Sequence, residues 1–202
     1  MKSSIENQKQ VWDNIAEEWD KFKQIPSEFS KDFLKKCSGN VLDLGSGSGR
    51  HLTKIPKGKM YLVDFSDKMI EFAKKKANKL KIKAEFAVAN LTKLPFKDNL
   101  FDYSIYISAL HCIPPKDHKK AVEELYRVMK PYSKSLIGVW NFNSKRFNQK
   151  QGKEKLIKWT DKGERYYYLF TEDEVHELFK KAGFKILSSH NSEMMINFIV
   201  EK

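Results

Sequence analysis

Residues 40–50 read Asn-Val-Leu-Asp-Leu-Gly-Ser-Gly-Ser-Gly-Arg, and no other stretch of the chain restricts the fold as strongly. A short apolar strand, an acid near its end and glycines at 45, 47 and 49 describe a strand that turns sharply into a helix whose first amides face a ligand. Glycine lets the backbone approach that ligand closely. What the stretch lacks narrows the choice. A dinucleotide fingerprint carries its third glycine at position 50, where Arg50 stands, and the Gly-Lys-Ser/Thr ending of a P-loop is absent. Asp43, two residues before Gly45, would repel a phosphate and attract a cation.

Around this loop the hydrophobic pattern alternates between strand and helix periods. Strands are expected at about 40–44, 59–64, 82–89, 101–108 and 134–140. Between them a short helix to Ile55, a helix over 67–78, a connection over 90–100 and a helix over 117–129, stopped by Lys130-Pro131, are expected. Such alternation implies an α/β fold, a doubly wound and mostly parallel sheet. Upstream, Ser3 with Glu6 suggests a capped helix carrying Ile5, Trp12, Ile15, Trp19 and Phe22 on one aromatic face. Pro26 ends it, and a second helix is expected over 29–37. Downstream, Thr171 caps a helix that stops at Ala182-Gly183, followed by two closing strands at 184–189 and 194–200.

Residues 141–165 break the alternation. This polar insert holds eight basic and three acidic residues, with Phe142, Phe147 and Trp159 interleaved. Basic charge with stacking surfaces suits an unstacked nucleic-acid strand, whereas a solvated loop pinned by aromatics has the same composition. The whole chain of 202 residues carries a formal charge of +12, so an anionic partner is expected, although lysine-rich solvated helices give the same sum. Length suits one domain. Cys37 and Cys112 form neither a metal spacing nor a disulfide framework, no metal site is expected, and the sequence shows no apolar run of membrane-spanning length, signal peptide or lipidation motif. A cytoplasmic protein is the expectation.

With its glycine loop and with Asp64 at 19 residues beyond Gly45, in Tyr61-Leu62-Val63-Asp64-Phe65-Ser66, the chain resembles the class I S-adenosylmethionine-dependent methyltransferases. The resemblance implies a seven-stranded sheet completed by an antiparallel hairpin, with S-adenosylmethionine as cofactor. It implies Gly45, Gly47 and Gly49 against the methionine portion, Asp43 near the positive groups, Asp64 on the ribose and Asn90 with Leu91 near the adenine. Asn90 replaces the Asp common at that position.

Val11-Trp12-Asp13-Asn14-Ile15-Ala16, Ile105 to His111, Lys158-Trp159-Thr160 and Arg165-Tyr166-Tyr167-Tyr168-Leu169-Phe170 are similar to the tRNA wobble-uridine carboxymethyl methyltransferases. This family includes a yeast enzyme and the methyltransferase part of a mammalian AlkB homologue. The resemblance implies esterification of 5-carboxymethyluridine in the anticodon loop, with His111, Arg165 and Tyr166 at the reacting end. It also implies a small zinc-ribbon activator protein at the edge of strand three. Tyr168 and Cys112 stand where that family usually has His. A carboxylate acceptor is ionised at neutral pH and needs no strong base, only cationic help from Arg165 and His111. Two alternatives are a small-molecule O- or N-methyltransferase, with the insert as a lid, and a non-catalytic cofactor-binding subunit.

Overall fold

A computed structural model describes residues 5–147 and 149–202, the side chains of residues 5 and 6 excepted. Short β-branched and aromatic runs form the strands β1 (Asn40–Leu44), β2 (Lys59–Asp64), β3 (Ala84–Val88), β4 (Phe101–Ile107) and β5 (Met129–Trp140), all parallel. The 3.6-residue patterns form α1 (Ile5–Phe22), α2 (Glu28–Lys35), α3 (Asp67–Leu80), α4 (Pro115–Val128) and, beyond the insert, α5 (Glu172–Lys181). The insert holds β6 (Glu154–Lys158), which pairs antiparallel with β7 (Glu164–Tyr168) starting at the insert's last two residues, while β8 (Lys185–Ser189) and β9 (Met195–Glu201) close the sheet. Its seven strands run in the order β3-β2-β1-β4-β5-β9-β8, with β9 antiparallel to both β5 and β8. This is the α/β sheet with a C-terminal antiparallel hairpin that the alternation and the resemblance imply.

The order reverses between β1 and β4, so the chain leaves β1 in one direction and returns to β4 on the other side. A crevice therefore opens beyond the carboxyl ends of these two strands, where open α/β sheets bind ligands. Successive β1 side chains supply both faces of the sheet. Val41 packs with Phe33 and Leu34 of α2 and Ala73 and Ala77 of α3; Leu42 and Leu44 pack with Val122 and Leu125 of α4 and Phe179 of α5. All three β1 side chains are fully buried. A third cluster joins Trp12, Ile15 and Ala16 of α1 to Tyr167 of β7, which draws the insert onto the first helix.

Four expectations are corrected. No helix follows β1, because the loop glycines at φ +72°, +54° and +79° leave the right-handed helical region and residues 45 and 47–51 form turns instead. The insert is not loop throughout: its β6 pairs with β7 from Glu154 opposite Tyr168 to Lys158 opposite Glu164, and Arg165 at its end is buried, as are Tyr166, Tyr167 and Tyr168 just beyond it. The fourth helix starts at Pro115, whose missing N–H suits the first helical position, and ends one residue before the expected stop. Strand β5 then begins at Met129 and carries Pro131 through the register shift opposite Phe101–Tyr103, where no ladder hydrogen bond is required of it. The Ser3 cap lies outside the described residues. Among those described, no helix is long and apolar enough to cross a membrane and no cluster of His, Cys, Asp or Glu has the arrangement of a metal site.

Candidate active site

A cavity of about 760 Å³ occupies the crevice at the β1/β4 reversal. Its floor is the loop after β1. Gly45 N and Ser46 N both donate to Val63 O, at 2.8 and 2.9 Å, which ties the loop to β2. The left-handed φ of Gly45 faces Ala109 after β4, so closely that a side-chain carbon on residue 45 would stand 2.1 Å from the Ala109 methyl. At Gly47 the corresponding space is open toward the Trp19 ring, 3.6 Å away. Glycine 49 instead packs against Ala73 and Leu62 and faces away from the cavity.

Asp64, at the end of β2, forms one wall. Its Oδ2 accepts from Gly47 N at 2.9 Å and its Oδ1 from Ser66 N at 3.0 Å. These bonds favour the carboxylate, yet burial outweighs them and pushes its pKa up to about 6. Ser66 caps α3 and donates to Asp13 of α1 at 2.5 Å, so the acid, the loop and the first helix hold one another in place.

Helix α1 and the β6–β7 hairpin form the roof. Gln8 accepts from Tyr166 N at 2.8 Å and donates to Glu164 O at 3.1 Å, satisfying both ends of its amide. Glu18 accepts from Trp159 Nε1 and pairs with Lys162, both at 2.6 Å. Trp12 and Trp19 meet edge to face with centroids 5.1 Å apart and line the cavity from above.

The expected site residues divide into two groups. Gly45, Gly47, Asp64, Asn90, Leu91 and Tyr166 line the cavity. Asn90 turns its amide oxygen onto Thr92 N and Oγ1, both at 2.9 Å, in a local turn. Tyr166 donates to Glu154 Oε2 at 2.7 Å; burial, then this bond, raises its pKa, so it is a neutral donor. Asp43, Gly49, His111 and Arg165 stand outside the lining. Asp43 is buried behind the loop, its Oδ2 without a hydrogen bond and 3.4 Å from His51 Nδ1. His111 is sealed between Trp140 and Tyr167, its Nδ1 accepting from Trp140 N at 3.0 Å. Burial lowers its pKa to about 3, leaving a neutral ring that holds β5 against β4. The structure does not set His111 at the cavity mouth, because the turn at Leu110–Cys112 directs it inward. Arg165 is buried under the roof and donates to Tyr167 Oη at 2.7 Å.

Sequence reasoning missed Gln8, Lys23, Glu154 and Leu156 on the lining. The aromatic stripe of α1 was visible, but which cavity it would cover depends on a hairpin 140 residues away. Arg50, noted only as a missing glycine, also lines the cavity.

Residues 41–132 match the family model described as a methyltransferase domain. The chain is 30% identical to a ubiquinone/menaquinone biosynthesis C-methyltransferase of Rickettsia bellii, over 90% of this chain and 86% of that protein. Against the Rickettsia felis protein of the same name identity is 33%, over 61% of this chain, and the match spans only 56% of that protein's length. A solved S-adenosylmethionine-dependent methyltransferase of Methanosarcina mazei superposes with a TM-score of 0.71 at 22% identity, covering 88% of this chain and 98% of that one.

Proposed function

We infer that this chain, which belongs to the class I S-adenosylmethionine-dependent methyltransferases, transfers a methyl group to a small molecule enclosed with the cofactor under α1 and the β6–β7 hairpin. The enclosure carries the reading. An acceptor must fit a cavity of about 760 Å³ shared with the cofactor, whose walls are Trp12, Trp19, Leu156 and Tyr166. The relatives named as quinone-biosynthesis methyltransferases act on small molecules by their names, which supports the same class here.

The residues fit the cofactor. Asp64 is a buried carboxylate whose two backbone donors leave it short of stabilisation, and ribose hydroxyls are the donors it lacks. Gly47 offers an open approach at the floor, and Asn90 and Leu91 bound the far wall where the adenine would lie. Bound there, S-adenosylmethionine supplies a methyl group on a sulfonium, so the protein's main task is positioning. The Tyr166–Glu154 pair faces the same space. Tyr166, whose single hydroxyl proton goes to Glu154, can accept from an acceptor's O–H or N–H and so orient it, and Glu154 can take a proton where one must leave.

A pH dependence follows. Ribose hydroxyls bond the ionised Asp64, so affinity for S-adenosylhomocysteine should fall as pH drops below about 6, approaching tenfold per unit, and level off above it. Titration calorimetry from pH 5 to 8 reads this directly, and a flat profile would remove Asp64 from the ribose.

One observation favours a second reading, methyl esterification of 5-carboxymethyluridine in tRNA. The segment Arg165–Phe170 that carries that resemblance forms a buried strand on the roof, and Lys158 lies exposed on its partner strand. Incubation with labelled S-adenosylmethionine and either a cell metabolite extract or tRNA lacking the modification separates the two. Label in a small product supports the main reading; a base-labile ester on uridine supports the second. The zinc-ribbon partner belongs to the second reading, and β3, with one edge unpaired and Val88 exposed, is where it would add. Full activity of the chain alone would dismiss it.

A further inference from the structure

Among the described residues, positive charge along the cavity exceeds negative charge. Lys23, Arg50 and Lys116 line it against Asp64 and Glu154. The cofactor adds to the excess, since its ammonium and sulfonium outnumber its single carboxylate. Among the described residues, neither Lys23, Arg50 nor Arg165 has a carboxylate within 4.0 Å, and Asp43 faces Arg50 only at longer range. The pKa of Lys23 is lowered by burial and then by Arg50, Arg146 and Arg165, so these cations share one neighbourhood.

Aromatic rings hold the cations there. The Arg165 guanidinium lies 4.7 Å from the Trp159 centroid, 5.6 Å from Trp19 and 5.9 Å from Trp12, and its buried Nε has no hydrogen-bond partner. Lys23 Nζ stands 6.0 Å from the same Trp19 ring and 4.8 Å from Phe22. Such contacts stabilise a cation less than a buried charge needs without a counter-ion. Trp12 and Trp19 meanwhile offer flat surface to the cavity.

We propose that the methyl acceptor is a small aromatic acid, its ring against Trp12 and Trp19 and its carboxylate or phosphate held by Lys23 and Arg50, with Arg165 adding charge from behind the Trp19 ring. The proposal rests on the reading that this cavity encloses the acceptor. The acid supplies the missing negative charge, and the ring uses the apolar wall.

Binding of three probes tests this in the presence of saturating S-adenosylhomocysteine: 4-hydroxybenzoate, phenyl phosphate and the uncharged methyl 4-hydroxybenzoate. At least one acid should bind tenfold or more tighter than the ester. The preference should shrink to threefold or less in Lys23→Gln and Arg50→Gln, while S-adenosylhomocysteine affinity stays within threefold. Melting temperatures confirm that both variants fold, and Lys23→Gln, at the rim, gives a reading even where Arg50→Gln does not. Equal binding of acid and ester, or no binding of either acid up to millimolar concentration, overturns the proposal. A tenfold loss of S-adenosylhomocysteine affinity with the acid preference intact assigns the cations to the cofactor's carboxylate and overturns it too. Failure of S-adenosylhomocysteine to bind the native chain would instead overturn the methyltransferase reading beneath it.

Discussion

Gly45→Ala should cost the protein both stability and cofactor binding. The residue sits at φ +72°, where an L side chain pays roughly 1–2 kcal/mol, and its new methyl would stand 2.1 Å from the Ala109 methyl. Overpacking of that kind costs a further 1–3 kcal/mol. In a chain of this size each kcal/mol lowers the melting temperature by about 2–4 °C, so a fall of about 4–20 °C is expected. Relief by movement would pull Gly45 N and Ser46 N from Val63 O and lift the cavity floor, weakening S-adenosylhomocysteine binding by tenfold or more. Adding Ala109→Gly removes the collision and leaves the strained φ. The double variant should therefore recover part of the melting temperature and most of the binding. A single variant that melts and binds like the native chain would show that the loop does not lie against Ala109.

Asp64→Asn should separate binding from stability. Cofactor affinity should fall by tenfold or more, because a charge-assisted pair of hydrogen bonds contributes about 1.5–3 kcal/mol. The effect on stability depends on pH, and its sign follows from the direction of the shift. A carboxyl whose pKa rises from 3.8 to about 6 on folding contributes stability that is fully present below pH 3.8 and lost as pH climbs through 6. The difference amounts to roughly 3 kcal/mol between those limits. In the native chain without cofactor, this component declines over that window; in Asp64→Asn it is absent. Between pH 4 and 7 the native chain should lose stability relative to Asp64→Asn, so the gap between their melting curves should change over that window. Parallel curves would mean that Asp64 is not desolvated as its position indicates. At pH 7.5, with cofactor at a hundredfold its dissociation constant, the native chain should gain about 2.7 kcal/mol that the variant largely lacks.

The sheet was legible in the residues because local period and turn chemistry decide most of it. Asn40–Leu44 and Lys59–Asp64 are short apolar runs bounded by turn residues, and Asp67–Leu80 carries Met69, Ile70, Ala73 and Ala77 at helical spacing. The spacing from Gly45 to Asp64 is legible for the same reason: a parallel crossover of that length brings two strand ends side by side, and here Gly47 N does meet Asp64 Oδ2. Local pattern misled where it stopped at composition. The charges of residues 141–165 concealed that Glu154–Lys158 form a strand and that its partner β7 is buried from Arg165 to Tyr168.

By itself, then, the order of residues determined the strand and helix alternation, the glycine floor with its acid, and the methyltransferase class these imply, since each depends on neighbours within about 20 positions of one another. Only the tertiary structure decided which residues face the cavity. His111 and Tyr166 are both polar-aromatic residues next to apolar ones, and nothing local separates them; a one-turn helix after β4 directs the first inward to Trp140 N, while pairing with β6 directs the second toward Glu154. The roof was equally beyond local reading, because Gln8 meets Tyr166 and Glu18 meets Trp159 across more than 140 residues of chain. Contacts of that separation depend on how the whole sheet places its ends, and no local preference encodes them.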